Sequence, residues 1–203
     1  HVMLTQGRLH EGLHFMQEAS AGWTGLNSFM VTHNWWHQAV FALELDQHDE
    51  VLRLYDEQIW GVEKTYTQDQ IGAVSLLARL ELAGVDVGNR WEDLAPYLRR
   101  RTQDQFLPFL DMQYLYGLAR CGTPEADELL QNIEHYSAKI AASGDSWQAA
   151  WQRVCVPACR GLMAHAQGNF GRAVDQLGLA LPRLTEIGGS HAQRDLFELF
   201  YLD

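Results

Sequence analysis

The sequence predicts an all-α fold built of antiparallel helix pairs, and three observations predict it. Apolar residues recur at helical spacing along nearly the whole chain. No stretch shows the apolar–polar alternation of a half-buried strand. The punctuating turns are very short, so consecutive helices must fold back on one another. Composition agrees with a packed fold: 47% of the 203 residues are hydrophobic and 20% charged, which excludes a disordered chain. The length suits a single domain spanning 1–203. The formal charge of −11 argues against nucleic acid as a partner, because phosphate neutralisation needs a basic face. The one basic run, Arg99-Arg100-Arg101, reads as a helix C-terminus.

The elements follow in order. His1-Val2-Met3-Leu4 runs into Gln6-Gly7-Arg8 without a capping residue, which reads as a helix cut in its middle and hence a fragment lacking N-terminal repeats. Ala19 to Leu43 contains no Asp, Glu, Lys or Arg, yet carries Thr32, His33, Asn34 and Gln38. That is too polar to span a bilayer and fits a buried helix. Leu43, Val51, Leu52, Leu54 and Tyr55 flank a turn at Asp46. Ile71, Val74, Leu77, Ala78 and Leu82 form a helix ended by Gly84. Asn89 should cap the next helix, which has Glu92 and Asp93 in its first turn and Pro96 to shorten or kink it. Leu107 to Cys121 is a helix closed by Gly122, and Thr123-Pro124-Glu125 starts another. Trp147 to Gln167, Phe170 to Ile187 and Ser190 to Tyr201 complete the series.

Cys121, Cys155 and Cys159 form no CxxC pair. They read as small buried hydrophobes in a reducing, cytoplasmic compartment. No leader or lipidation motif is visible, and no cofactor motif either.

Small residues then suggest a repeat. Gly161, Ala164, Gly168, Ala173, Leu177 and Ala180 follow the tetratricopeptide pattern, a two-helix unit of about 34 residues. Ala39, Ala42, Asp46, Val51 and Tyr55 keep the same spacing, with Asp46 in place of the turn glycine. Gly7, Gly12 and Met16 match the second half of such a unit, and Gly122, Ala126 and Leu130 match more loosely. Small residues let paired helices approach closely while larger ones bury against the next pair. The array is therefore a degenerate tetratricopeptide-like one.

Four polar blocks are candidates for function. In His33-Asn34-Trp35-Trp36-His37 the two histidines lie one helical turn apart beside Trp36. They are a packed histidine pair, a ligand-binding surface, or a metal-binding pair without the Glu of HExxH. Gly188-Gly189-Ser190-His191-Ala192-Gln193-Arg194-Asp195 closes one helix and starts another at Ser190. It is a capped turn or a carboxylate-binding helix start. Arg90 beside Trp91 reads as mostly structural. Asp111 lies in an apolar helix and needs a partner if buried.

These blocks carry a resemblance. His33-Asn34-Trp35-Trp36-His37-Gln38-Ala39, Leu80 with Gly84-Val85-Asp86-Val87-Gly88-Asn89-Arg90-Trp91, and Gly188 to Asp195 occur in this order, and in that the chain resembles the tetratricopeptide repeat protein 38 family over almost its whole length. The resemblance implies a helical-repeat fold and longer relatives with further repeats upstream. It implies no reaction. The family's Asn-Asp-x-His pattern is replaced here by Leu110-Asp111-Met112-Gln113, which weakens a metal-site reading.

The function expected is a binding module. Its pocket would be lined by His33, Trp36, His37, Asp111, His191, Gln193, Arg194 and Asp195. It would hold a partner protein, a peptide or a small polar ligand bearing a carboxylate. Two alternatives stand beside it: an enzyme using a histidine base in the same pocket, and a structural module whose Trp-rich face drives self-association.

Overall fold

The structure is a computed structural model that describes residues 2–140 and 146–203, with the side chains of 146 and 147 excepted. His1, in the opening noted above, lies outside the described residues. Every regular element among the described residues is helical, and no helix is long and apolar enough to cross a membrane.

The chain divides into two compact units, His1–Gly88 and Asn89–Asp203. The first holds α1 (Val2–Thr5), α2 (Leu9–Ser20), α3 (Ser28–Leu43), α4 (His48–Leu54) and α5 (Thr67–Leu82), with a π-helical turn at Tyr55–Ile59 after α4. Helix α3 packs on α2, α4 and α5. Trp36, Ala39, Val40, Phe41 and Ala42 are all buried. A helix covered on several sides has no solvent face for a charge, which accounts for the later part of the uncharged stretch, from Trp36 to Leu43; residues 21–27 are largely exposed. Asn27 caps α3, accepting the Met30 N–H at 2.9 Å. Two contacts set the α3–α5 register: Thr32 meets Asp69, and Gly72 faces Trp36. Both numbers advance together, so these two helices run parallel.

The second unit holds α6 (Arg90–Leu98), α7 (Pro108–Arg120), α8 (Pro124–Ile140), α9 (Ser146–Ala150), α10 (Val156–Ala166), α11 (Phe170–Ala180) and α12 (His191–Leu202). Arg99–Arg101 forms a 3₁₀ turn that ends α6. Asn89 does not cap α6 with its side chain. Its backbone, at φ −88° and ψ 16°, is not the extended conformation that aims a cap side chain at the helix. The helix expected over Phe170–Ile187 stops at Ala180 and tightens to a 3₁₀ segment, Leu181–Ile187. Pro182 has no N–H to continue the α pattern. The helix expected over Trp147–Gln167 opens into a π segment at Trp151–Cys155. Pro157 lies just beyond, and the wider register relieves the clash of its ring with the carbonyl four residues back.

The pairs turn where the small residues placed them. Between α3 and α4, Asp46 adopts φ +56°, a left-handed conformation that Asp tolerates better than most residues. Gly168, at φ +72°, does the same between α10 and α11. The close approaches are equally local. A Cβ on Gly12 would sit 2.3 Å from the Phe41 ring. A Cβ on Gly161 would sit 2.7 Å from Leu177 Cγ, 3.0 Å from Leu177 N and 3.1 Å from Ala173 O. The α11 backbone cannot step aside, so α10 and α11 meet at this distance only through glycine.

This geometry predicts opposite signs for two Gly-to-Ala changes. Gly161→Ala destabilises by roughly 1–3 kcal/mol through overpacking. Gly72→Ala, whose Cβ would meet Trp36 Cδ1 at an ordinary 4.0 Å, stabilises α5 by about 0.5–1 kcal/mol. Urea unfolding of both variants checks the pair of signs.

Candidate functional site

In the first unit, α3 sets His33 and His37 on one face, with Nε2 atoms 3.1 Å apart. The His33 ring stacks parallel to Trp36 at 5.9 Å and contacts Phe29 at 5.1 Å. Both histidines are half-buried, while Trp36 is only 2% exposed. Burial lowers both imidazole pKa values, and His37, which also feels His33, falls to about 3. Both rings are therefore neutral at pH 7, one donating and the other accepting the shared hydrogen bond. Behind them, Arg79 is buried with its guanidinium 5.8 Å from the Trp36 ring centre. Thr32 Oγ1 donates to buried Asp69 at 2.7 Å. Burial raises the Asp69 carboxyl, and the hydroxyls of Thr32 and Ser28 hold it partly down. The pair is thus one part of a polar α3–α5 contact. No group of three or more His, Cys, Asp and Glu suited to a metal ion occurs among the described residues.

In the second unit, Asp111 on α7 is fully buried, and no side chain bonds to it. The backbone amides of Leu107, Gln105 and Asp111 itself lie near the carboxylate. They offset only part of the desolvation, and the carboxyl rises to about 7. Cys155 and Cys159 are buried free thiols, Sγ atoms 3.9 Å apart. Burial pushes the Cys155 thiol up, with smaller contributions from Cys159 and Asp111.

The block before α12 folds onto its own turn. Arg194 donates to the carbonyls of Gly188 and Gly189. Gln193 Oε1 accepts the Ser190 N–H at 2.8 Å. Gln193 thus supplies the reaching-back half of a capping box with Ser190 at the start of α12. Gly189 has φ +74°, and a Cβ there would lie 2.8 Å from the Phe109 ring. The glycines thus seat the turn against the start of α7. His191 is exposed at the helix start, and Asp195 is half-buried. The eight predicted site residues therefore fall into two sets. His33, Trp36 and His37 belong to the first unit. Asp111, His191, Gln193, Arg194 and Asp195 belong to the second. No hydrogen bond or ion pair joins Asp111 to His191, Gln193 or Arg194.

The second unit also carries a groove of about 620 Å³ that the sequence reading missed. Arg153, Pro157 and Arg160 line it from the π segment and α10, Glu134 from α8, and Leu179 and Arg183 from α11 and the 3₁₀ segment after it. A readable signal was present: Arg153, Val156, Pro157 and Arg160 share one helical stripe that mixes arginine with apolar residues.

No protein-family model matches the chain, and no solved structure matches it.

The buried groups predict opposite pH effects. The Asp111 carboxyl titrates near 7 when folded and near 3.9 when unfolded. The folded chain then binds more protons between those values. Stability from this residue falls as pH rises through the window, by about 1.4 kcal/mol per unit. Melting Asp111→Asn at about pH 5 and pH 8 should show it gaining on the unsubstituted chain at the higher pH. His37 titrates near 3 when folded and near 6.5 when unfolded, so its neutral burial loses stability as pH falls below about 6.5. His37→Gln should gain at the acidic end, which melts down to about pH 4 would register.

Proposed function

We propose that the chain is a tetratricopeptide-like helical-repeat module that binds a segment of a partner protein. One observation carries the reading. The pairs α3–α4 and α10–α11 repeat one construction: buried residues at corresponding places, Ala39 with Gly161, Ala42 with Ala164, Val51 with Ala173 and Tyr55 with Leu177, around a left-handed turn residue, Asp46 or Gly168. Stacked pairs of this kind leave helix faces free for partners. The blocks shared with the tetratricopeptide repeat protein 38 family lie in α3, from the end of α5 into α6, and at the turn into α12, and we carry that resemblance forward as part of the proposal.

Binding is favoured over catalysis because two of the expected site groups are out of a substrate's reach. Asp111 has no exposed surface, and Arg194 holds the carbonyls of its own turn. Three free cysteines fit a reducing compartment, so the module is proposed to work in the cytoplasm.

A thermal-shift screen tests the reading, using peptide pools of different charge and apolar content beside free carboxylates, phosphates and divalent metals. A saturable rise in Tm with one peptide class, through mass action, is the expected result. No shift with any peptide pool overturns the module. A shift with a small molecule that is also chemically converted favours the enzyme.

A further inference from the structure

The groove of the second unit is lined by two helical stripes. Arg153, Val156, Pro157 and Arg160 line it along two turns of helix, a length of about 10 Å. Gln176, Leu179 and Arg183 repeat the spacing of Arg153, Val156 and Arg160, and Glu134 and Ser137 of α8 line it as well. A trough of that length takes about three residues of extended chain. Its volume, about 620 Å³, lies within the range of ligand-holding clefts.

Its charge opposes that of the molecule. Three arginines line the groove against one carboxylate, in a chain of net charge −11. Arg160 spends only Nε on Glu134, at 2.8 Å, and Arg183 only Nε on Glu186, at 2.6 Å. A guanidinium has five N–H donors, so each keeps its outer nitrogens for another acceptor. Arg153 is exposed and makes no ion pair among the described residues. It is carried by the π segment ahead of Pro157, a local distortion of the kind that gathers at functional sites. Apolar contact is offered in the same trough by half-buried Val156 and by Leu179 at 63% exposure.

We propose that this groove is the module's partner site and takes a short acidic segment of another protein, its carboxylates on Arg153 and the outer nitrogens of Arg160 and Arg183, with an apolar side chain against Val156 and Leu179. The inference rests on the binding-module reading and adds the place and the chemistry of the ligand. A long polyanion such as nucleic acid is disfavoured because the acidic remainder of the chain repels it, whereas one or two carboxylates feel mainly the local arginines.

The test uses a short fluorescein-labelled peptide of alternating Glu and Leu, its Gln–Leu and Lys–Leu counterparts, and a labelled single-stranded oligonucleotide. Anisotropy is read with the whole chain. The Glu–Leu peptide is expected to bind at least about tenfold more tightly than the others. Arg153→Glu should weaken it by about tenfold or more, and Arg153→Lys should keep most of the affinity. Arg172→Glu, the same charge change on exposed α11 outside the groove, should leave affinity within about twofold, and equal melting temperatures confirm that all variants fold. Three results overturn the inference: no binding of the Glu–Leu peptide, equal losses from Arg153→Glu and Arg172→Glu, or tighter binding of the oligonucleotide. If the peptide pools bind but Arg153→Glu changes nothing, the module stands and this groove is not its site. If no pool binds, the module itself falls.

Discussion

Much of the second unit depends on the place where α10 and α11 touch. Gly161 lies so close to the Leu177 and Ala173 backbone that no side chain can stand between. That spacing is a steric limit, and steric limits are steep. Ala164, Ala173 and Ala180 are buried on the same pair of helices, with the larger Leu177 lying directly over Gly161. Gly12 against Phe41 plays the comparable part in the first unit.

The helical class, most helix bounds and the left-handed turn at Asp46 were legible because each has a local cause. Periodicity marks a buried face, and a turn residue marks a reversal. Where expectation failed, proline chemistry was at work: Pro182 cut short a helix that periodicity had extended, and Pro157 opened a π segment inside another. Asn89 has the right side chain for a cap, but its backbone angles depend on the chain around it.

The candidate site was legible only as a set of unusual residues. His33 and His37 do pair, as their spacing required. Arg194 and Gln193 stood out for being polar and close together, and they use that polarity to hold their own turn. Sequence clustering rewards local hydrogen bonds, since groups near in the chain meet at the least entropic cost. Residues that face a partner carry no such mark. Arg153, Arg160 and Arg183 are spread over three elements and come together only through packing. Asp111 is the intermediate case. Its apolar neighbours announced its burial, but the absence of any side chain to answer it needed three dimensions.

The π segment at Trp151–Cys155 has a consequence for how this chain tolerates change in length. It holds one residue more than an α-helix needs over the same span. Deleting a single residue there closes the segment to an α-helix over the same span, and the turns on either side keep their faces. It also returns the Pro157 ring to its clash with the carbonyl four residues back. The extra residue therefore acts as a spacer: it gives the proline ring room while Trp151 stays in the core and Arg153 stays beside Arg160.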